Sequence, residues 1–110
     1  MSHWLCVIRP PRPSFLTDAS EYENAVMQEH FLYLQRLLGE GKLLIAGPAQ
    51  NPTFGIFVFA ADNEDEAWAI VRADPSVAAG VQTPELHPFR ASLFAGRDGP
   101  APARTGDVSG

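Results

Sequence analysis

Two residues far apart in the chain, His30 and Asp74, are the most able to do chemistry together. An imidazole titrates near neutrality, so His30 is a candidate general acid or base. The same residue also reads as a core-edge histidine whose ring meets a backbone carbonyl. Asp74 precedes Pro75, which biases it toward an extended backbone. From there it can orient the His30 ring and hold one tautomer, since a base is commonly oriented by a third group. It can equally cap a helical turn that begins at Pro75. Arg9 closes an apolar run, where its guanidinium can hold an anionic group of a ligand or simply lie in solvent. Gly47 and Pro48 read as the tight exit of a strand, with backbone that can line a pocket. Cys6 has nothing close in sequence to activate it and reads as a small buried hydrophobe. His3 and His87 are too scattered to make a ligand set. The sequence contains no glycine-rich phosphate loop, serine nucleophile elbow or paired metal-ligand motif.

These residues need elements to bring them together. Residues 3–8 are an apolar run stopped by Arg9-Pro10-Pro11, which predicts a first strand, followed by a proline-interrupted loop over 12–17. Asp18 with Glu21, or Ser20 with Glu23, has the spacing of a capping box. Met27, Phe31, Leu34 and Leu38 then recur with helical spacing and predict the buried face of one long helix, closed by Gly39 and Gly41. The runs 42–46 and 54–61 predict a hairpin. Asn63 with Glu66 opens a second helix that stops near Ala73, residues 75–79 add a turn ended by Gly80, and 81–94 reads as an edge or bulged strand interrupted by Pro84 and Pro88. The order βαββαβ predicts an α+β fold of the ferredoxin-like kind, a four-stranded antiparallel sheet with both helices on one face. Phe57 and Phe59 face one side of the third strand and Ile56, Val58 and Ala60 the other, while Leu43 and Ile45 oppose Leu44. Two helices cover one apolar face only, so the second is expected to meet another copy of the chain, sheet to sheet. Residues 1–94 form the domain and 95–110 a Gly/Pro/Ala-rich tail.

At 110 residues, 45% hydrophobic and 19% charged, the chain has the composition of one globular domain. Eight basic against thirteen acidic residues leave a net charge of −5 with no basic cluster, which argues against nucleic acid and anionic membranes as partners. A single cysteine excludes an internal disulfide and a multi-thiolate zinc site. Arginine and prolines at 9–13 interrupt the start where a secretory signal needs an apolar run, and no window approaches a membrane span, so a cytoplasmic protein is expected.

The strand ending in Arg9-Pro10, His30 within the segment 29–34, the segment 41–48, Gly55, the run 63–67 and Ala73-Asp74-Pro75 together resemble the YCII-related (YciI-like) family over about residues 3–94. The resemblance implies a ferredoxin-like protomer, a dimeric α+β barrel, and a paired His and Asp as active-site dyad, here His30 and Asp74. Some similar proteins act on chlorinated hydroxyaromatic or lactone-type compounds by proton transfer and elimination, without a cofactor. The expected function is therefore a small enzyme without metal or cofactor, working by isomerisation or elimination on a small cyclic or aromatic acid. His30 would move the proton, Asp74 would orient it, and Arg9, Gly47 and Pro48 would contact the ligand. The alternative is a non-catalytic small-molecule-binding or interaction module on the same dimeric barrel.

Overall fold

Alternation along the first strand sets the architecture of the computed structural model, which describes residues 2–51 and 53–102. In β1 (Ser2–Arg9) Trp4, Cys6 and Ile8 point into the core, and the residues between them point to the opposite face. β1 lies at the centre of the sheet, antiparallel to β3 (Gly55–Ala61) on one side and β4 (Thr83–Phe89) on the other, with β2 (Leu43–Pro48) beyond β3. The sheet order β2-β3-β1-β4 and the chain order βαββαβ make this the expected α+β, four-stranded antiparallel fold. Trp4, Cys6, Ile8, Phe57 and Phe59 of the sheet pack against Tyr33, Leu34, Leu37, Ala67 and Val71 of the helices. The rings of Phe57 and Phe59 are 5.5 Å apart and tilted.

Two helices lie between β1 and the hairpin. The loop expected over 12–17 contains a short helix, α1 (Phe15–Asp18), whose Phe15 is buried against Val26 and Val81. Arg12 holds it in place: its Nε donates to Asp18 at 2.9 Å, and its two terminal nitrogens donate to the two oxygens of Glu23 at 2.8 Å each. Those bonds from Arg12 hold the Glu23 carboxyl down at about 2. α2 (Glu21–Gly39) begins with the capping box of Ser20 and Glu23, not with the pairing of Asp18 and Glu21. Its buried row is Val26, His30, Tyr33, Leu34 and Leu37. Of the stripe expected to be buried only Leu34 is; Phe31 and Leu38 are 61% and 58% exposed. The helix is rotated so that a neighbouring row meets the sheet, because helical spacing fits either row and packing decides between them.

At the end of α2, Gly41 adopts φ +76° and Lys42 N bonds Leu37 O at 2.9 Å, turning the chain into β2. A bulge between Leu43 and Ile45 pairs Leu43 with Phe59 and Ile45 with Val58. Leu43 and Ile45 therefore face opposite sides of the sheet, contrary to the simple alternation expected of them. Gly47 and Pro48 are not past the strand but at its end, opposite Ile56 and Gly55. α3 (Glu64–Arg72) is capped by the Asn63 side chain, although the Glu66 side chain reaches the amide of Asp62 and not that of Asn63. α4 (Pro75–Ala78) follows. β4 is shorter than the stretch 81–94 and contains both Pro84 and Pro88, which an edge strand tolerates where its N–H positions face outward. After it Arg97 donates to Ala91 O at 2.6 Å and Ala95 bridges Gly99; residues 103–110 of the expected tail lie outside the described residues.

The face away from the helices carries Leu5, Val7 and Ile56, half-buried, and Val58 and Ala60, buried. No helix among the described residues is long and apolar enough to cross a membrane. The core, more than any single helix end, holds these layers together. Phe59→Ala is expected to cost about 3–5 kcal/mol in urea unfolding, against about 1 kcal/mol for Ser20→Ala at the α2 cap. A larger loss at Ser20 would place the main stabilisation at the helix end.

Candidate active site

His30 sits in the middle of the buried row of α2, and Asp74 sits where α3 gives way to α4. Pro75 disfavours a helical backbone at the residue before it, and Asp74 is extended, with φ −63° and ψ 122°. Its side chain turns toward α2 and is wholly buried. His30 Nδ1 lies 2.9 Å from Asp74 Oδ1 and 2.7 Å from Oδ2. Asp74 also caps α4, with Oδ1 accepting from Ser76 N at 2.8 Å. Both roles open to Asp74 are thus filled at once, because a carboxylate has lone pairs enough for each. The carbonyl partner considered for His30 is replaced by this carboxylate.

A carboxylate can only accept, so Nδ1 carries the proton and Nε2 of the neutral ring is left as an acceptor. No hydrogen bond to Nε2 is made within the described residues, yet no buried side-chain nitrogen or oxygen among them lacks a partner. Nε2 is therefore the edge of the ring that reaches open space. That space is a cavity of about 800 Å³ between α2, α1 and the β2–β3 hairpin. Phe31 and Leu38, which stay out of the core, form its helical wall together with Met27 and Leu34. Phe15 and Leu16 close one side, and Gly47 and Pro48 belong to the hairpin wall as expected of pocket-lining residues. Proton uptake at Nε2 in such a site would create a positive charge directly backed by Asp74.

Arg9 lies elsewhere. Ile8 points into the cavity side of the sheet and its neighbour Arg9 points to the other, where the half-exposed guanidinium lies 3.5 Å from Glu85. The structure thus joins His30 and Asp74 directly, places Gly47 and Pro48 on the same cavity, and keeps Arg9 apart from all four. His87 pairs with Glu85 on that outer face. Cys6 is buried mid-strand, and desolvation pushes its thiol up to about 12, so it is unreactive at neutral pH. No group of three or more metal-ligating side chains occurs among the described residues.

Ser76 and Gln82 belong to the site and were not singled out by sequence. Ser76 Oγ lies 2.9 Å from Asp74 Oδ1, 2.9 Å from Gln82 Oε1 and 3.3 Å from His30 Nδ1. A serine after Asp-Pro is an ordinary helix-start residue, and nothing in the residue types relates it to a glutamine six positions on. Tyr33, one turn from His30, donates to Ile70 O at 2.6 Å and ties α2 to α3 beside the pair.

Comparison with known proteins agrees with this architecture. The family model described as YCII-related domain matches residues 3–90. A curated relative, "Uncharacterized protein YjpA" of Bacillus subtilis (strain 168), is 43% identical over 51 residues, which are 46% of this chain and 60% of YjpA. Among solved structures, 5-chloro-2-hydroxyhydroquinone dehydrochlorinase (TftG) from Burkholderia phenoliruptrix AC1100, in complex with 2,5-dihydroxybenzoquinone, aligns with a TM-score of 0.59. That alignment covers 79% of this chain and 93% of TftG at 21% identity, a likeness of fold. Matched from the first strand through the last, the chain belongs to the YCII-related domain family.

Proposed function

We propose that this protein is a small enzyme that moves a proton on a ring compound held in the α2 cavity, with His30 as acid or base and Asp74 as the group that orients it. The observation that carries this reading is a buried imidazole gripped at Nδ1 by a carboxylate, with Nε2 turned to an apolar cavity. In an isomerisation, Nε2 takes a proton from one ligand atom and returns it to another. In an elimination, the leaving group departs as an anion with its bonding electrons, and the proton passes from His30 to solvent. Imidazole and carboxylate suffice for either step. The likeness to a dehydrochlorinase, whose ligand in the solved complex is a hydroxylated quinone, supports the elimination branch. A pure binding module has use for the cavity but none for an oriented base, which is why the enzymatic reading is preferred. Gly47 and Pro48 supply wall for the ligand, and Arg9 takes no part at the His30 edge.

The outer sheet face supports a homodimer packed sheet to sheet. Leu5, Val7 and Ile56, half-buried, flank the already buried Val58 and Ala60 across the two central strands, and Ile45, exposed by the β2 bulge, extends this apolar strip. A partner sheet on this face buries that strip without touching the helices that hold His30 and Asp74.

Activity can be sought in a panel of hydroxylated and chlorinated rings that includes 5-chloro-2-hydroxyhydroquinone, reading chloride release and deuterium uptake from heavy water. For a substrate so found, His30→Ala should lower the turnover of the folded protein by about a hundredfold or more, beside the loss of stability that removing one partner of a buried pair brings. Asp74→Asn should do the same through lost orientation, by about a hundredfold. Saturable binding with wild-type turnover in His30→Ala rejects the mechanism. Light scattering should give a mass twice 12.0 kDa for the wild type and a shift to monomer for Leu5→Lys. A monomeric wild type rejects the sheet-to-sheet dimer.

A further inference from the structure

The hydrogen bonds around Ser76 do not close as a set unless the Gln82 carboxamide has one orientation. Ser76 Oγ has a single proton and two acceptors at 2.9 Å, Asp74 Oδ1 and Gln82 Oε1. If the proton goes to Gln82, a hydroxyl lone pair faces the Asp74 carboxylate at that distance with no proton between them. If it goes to Asp74, two acceptors meet at Gln82 instead. A carboxamide is nearly symmetric in shape, and a half turn about its last bond resolves the conflict. The Gln82 amide nitrogen then donates to Ser76 Oγ, Ser76 donates to Asp74, and the Gln82 carbonyl takes the other end.

That other end opens on the cavity. Gln82 is 8% exposed and lines the same space as His30, and no buried side-chain polar atom among the described residues is without a partner, so its untethered amide atom is accessible. The backbone fixes where it points. Gly80, at φ +73°, turns the chain back so that Val81 N and Gln82 N both bond Ser76 O, at 2.9 and 3.0 Å. Gln82 is therefore tied to Ser76 twice, through backbone and side chain, and through Ser76 to the carboxylate that orients His30. Apart from His30, no side chain that can carry charge lines the cavity among the described residues; Gln35 and Gln50 also line it but are exposed, and of the three carboxamides only Gln82 is bonded to Ser76.

We propose that Gln82 is the second polar contact for the ligand: its carbonyl accepts an O–H or N–H next to the group that His30 deprotonates, and the site selects uncharged hydroxylated rings over ring carboxylates. This rests on the proton-transfer reading for the role of His30 and replaces the acid expected from the sequence. An anionic ligand would enter an apolar space that offers no counter-charge to a neutral His30 and has Asp74 behind the imidazole, an arrangement that penalises it. A ring with two hydroxyls instead meets two acceptors, His30 Nε2 and the Gln82 carbonyl.

The test is a set of dissociation constants from NMR titration of the full chain with catechol, resorcinol and hydroquinone, their monomethyl ethers, and benzoate. At least one diol should bind about tenfold or more tightly than its monomethyl ether and than benzoate. Gln82→Met should abolish that preference while leaving the ether within about twofold of wild type. Ser76→Ala, which cuts the tether and keeps the carboxamide, should narrow it, and serves as the deciding variant if Gln82→Met does not fold. Benzoate binding as tightly as the best diol, no diol saturating the cavity, or a preference unchanged in the deciding variant overturns the assignment. The constants need no turnover, so the two readings fail separately: a diol preference without proton transfer keeps the recognition and rejects the catalysis, and turnover without the preference does the reverse.

Discussion

A carboxylate with no exposed surface has to be satisfied from every side by the protein around it, and Asp74 imposes that requirement on this fold. Its oxygens take the His30 ring from α2, the Ser76 amide from the start of α4 and the Ser76 hydroxyl. Losing one partner of a buried pair of this kind costs about 3–5 kcal/mol, because the remaining group stays in low dielectric without compensation. The pair therefore constrains how α2 and the α3–α4 corner dock, and through α2 it sets the position of the helical wall of the cavity. The Tyr33 hydroxyl on Ile70 O reinforces the same docking one turn further along.

Much of this arrangement was legible in the residues. Pro75 disfavours a helical backbone at Asp74, and an imidazole on the long helix can lie across from that corner in a βαββαβ fold; this leaves the pairing of His30 with Asp74 open beside a capping and a core-edge role, and the family resemblance singles it out. Ser20 with Glu23, and proline after the first strand, mark boundaries through hydrogen bonds and steric exclusion that act within a few residues. Such short-range physics survives into the folded chain unchanged.

What could not be read depends on packing across the molecule. The apolar row of Met27, Phe31, Leu34 and Leu38 is as regular as the buried row with which it shares Leu34, and only docking against the sheet decides that the rest of it borders a cavity. The bulge at Leu43 and Ile45 has no signature in a run of aliphatic residues. Arg12 organises α1 through partners on both sides of the helix start, and Arg9, one residue past the last inward side chain, faces away by strand parity. Ser76 and Gln82 meet because Gly80 reverses the chain between them, a relation no residue type announces.

The β2 bulge has an outcome that reaches past the strand itself. By letting Leu43 stay in the core while Ile45 turns outward, it uncouples the end of the hairpin from the strict in-and-out order of the central strands. The hairpin and α1 supply cavity wall but none of the ligands of Asp74. The partners of Asp74 and the hairpin side of the chamber thus lie on separate stretches of chain, with α2 common to both. The hairpin and the proline-rich segment can therefore change in length or side chains without touching the partners of Asp74, so the chamber can be reshaped around an unchanged pair of His30 and Asp74.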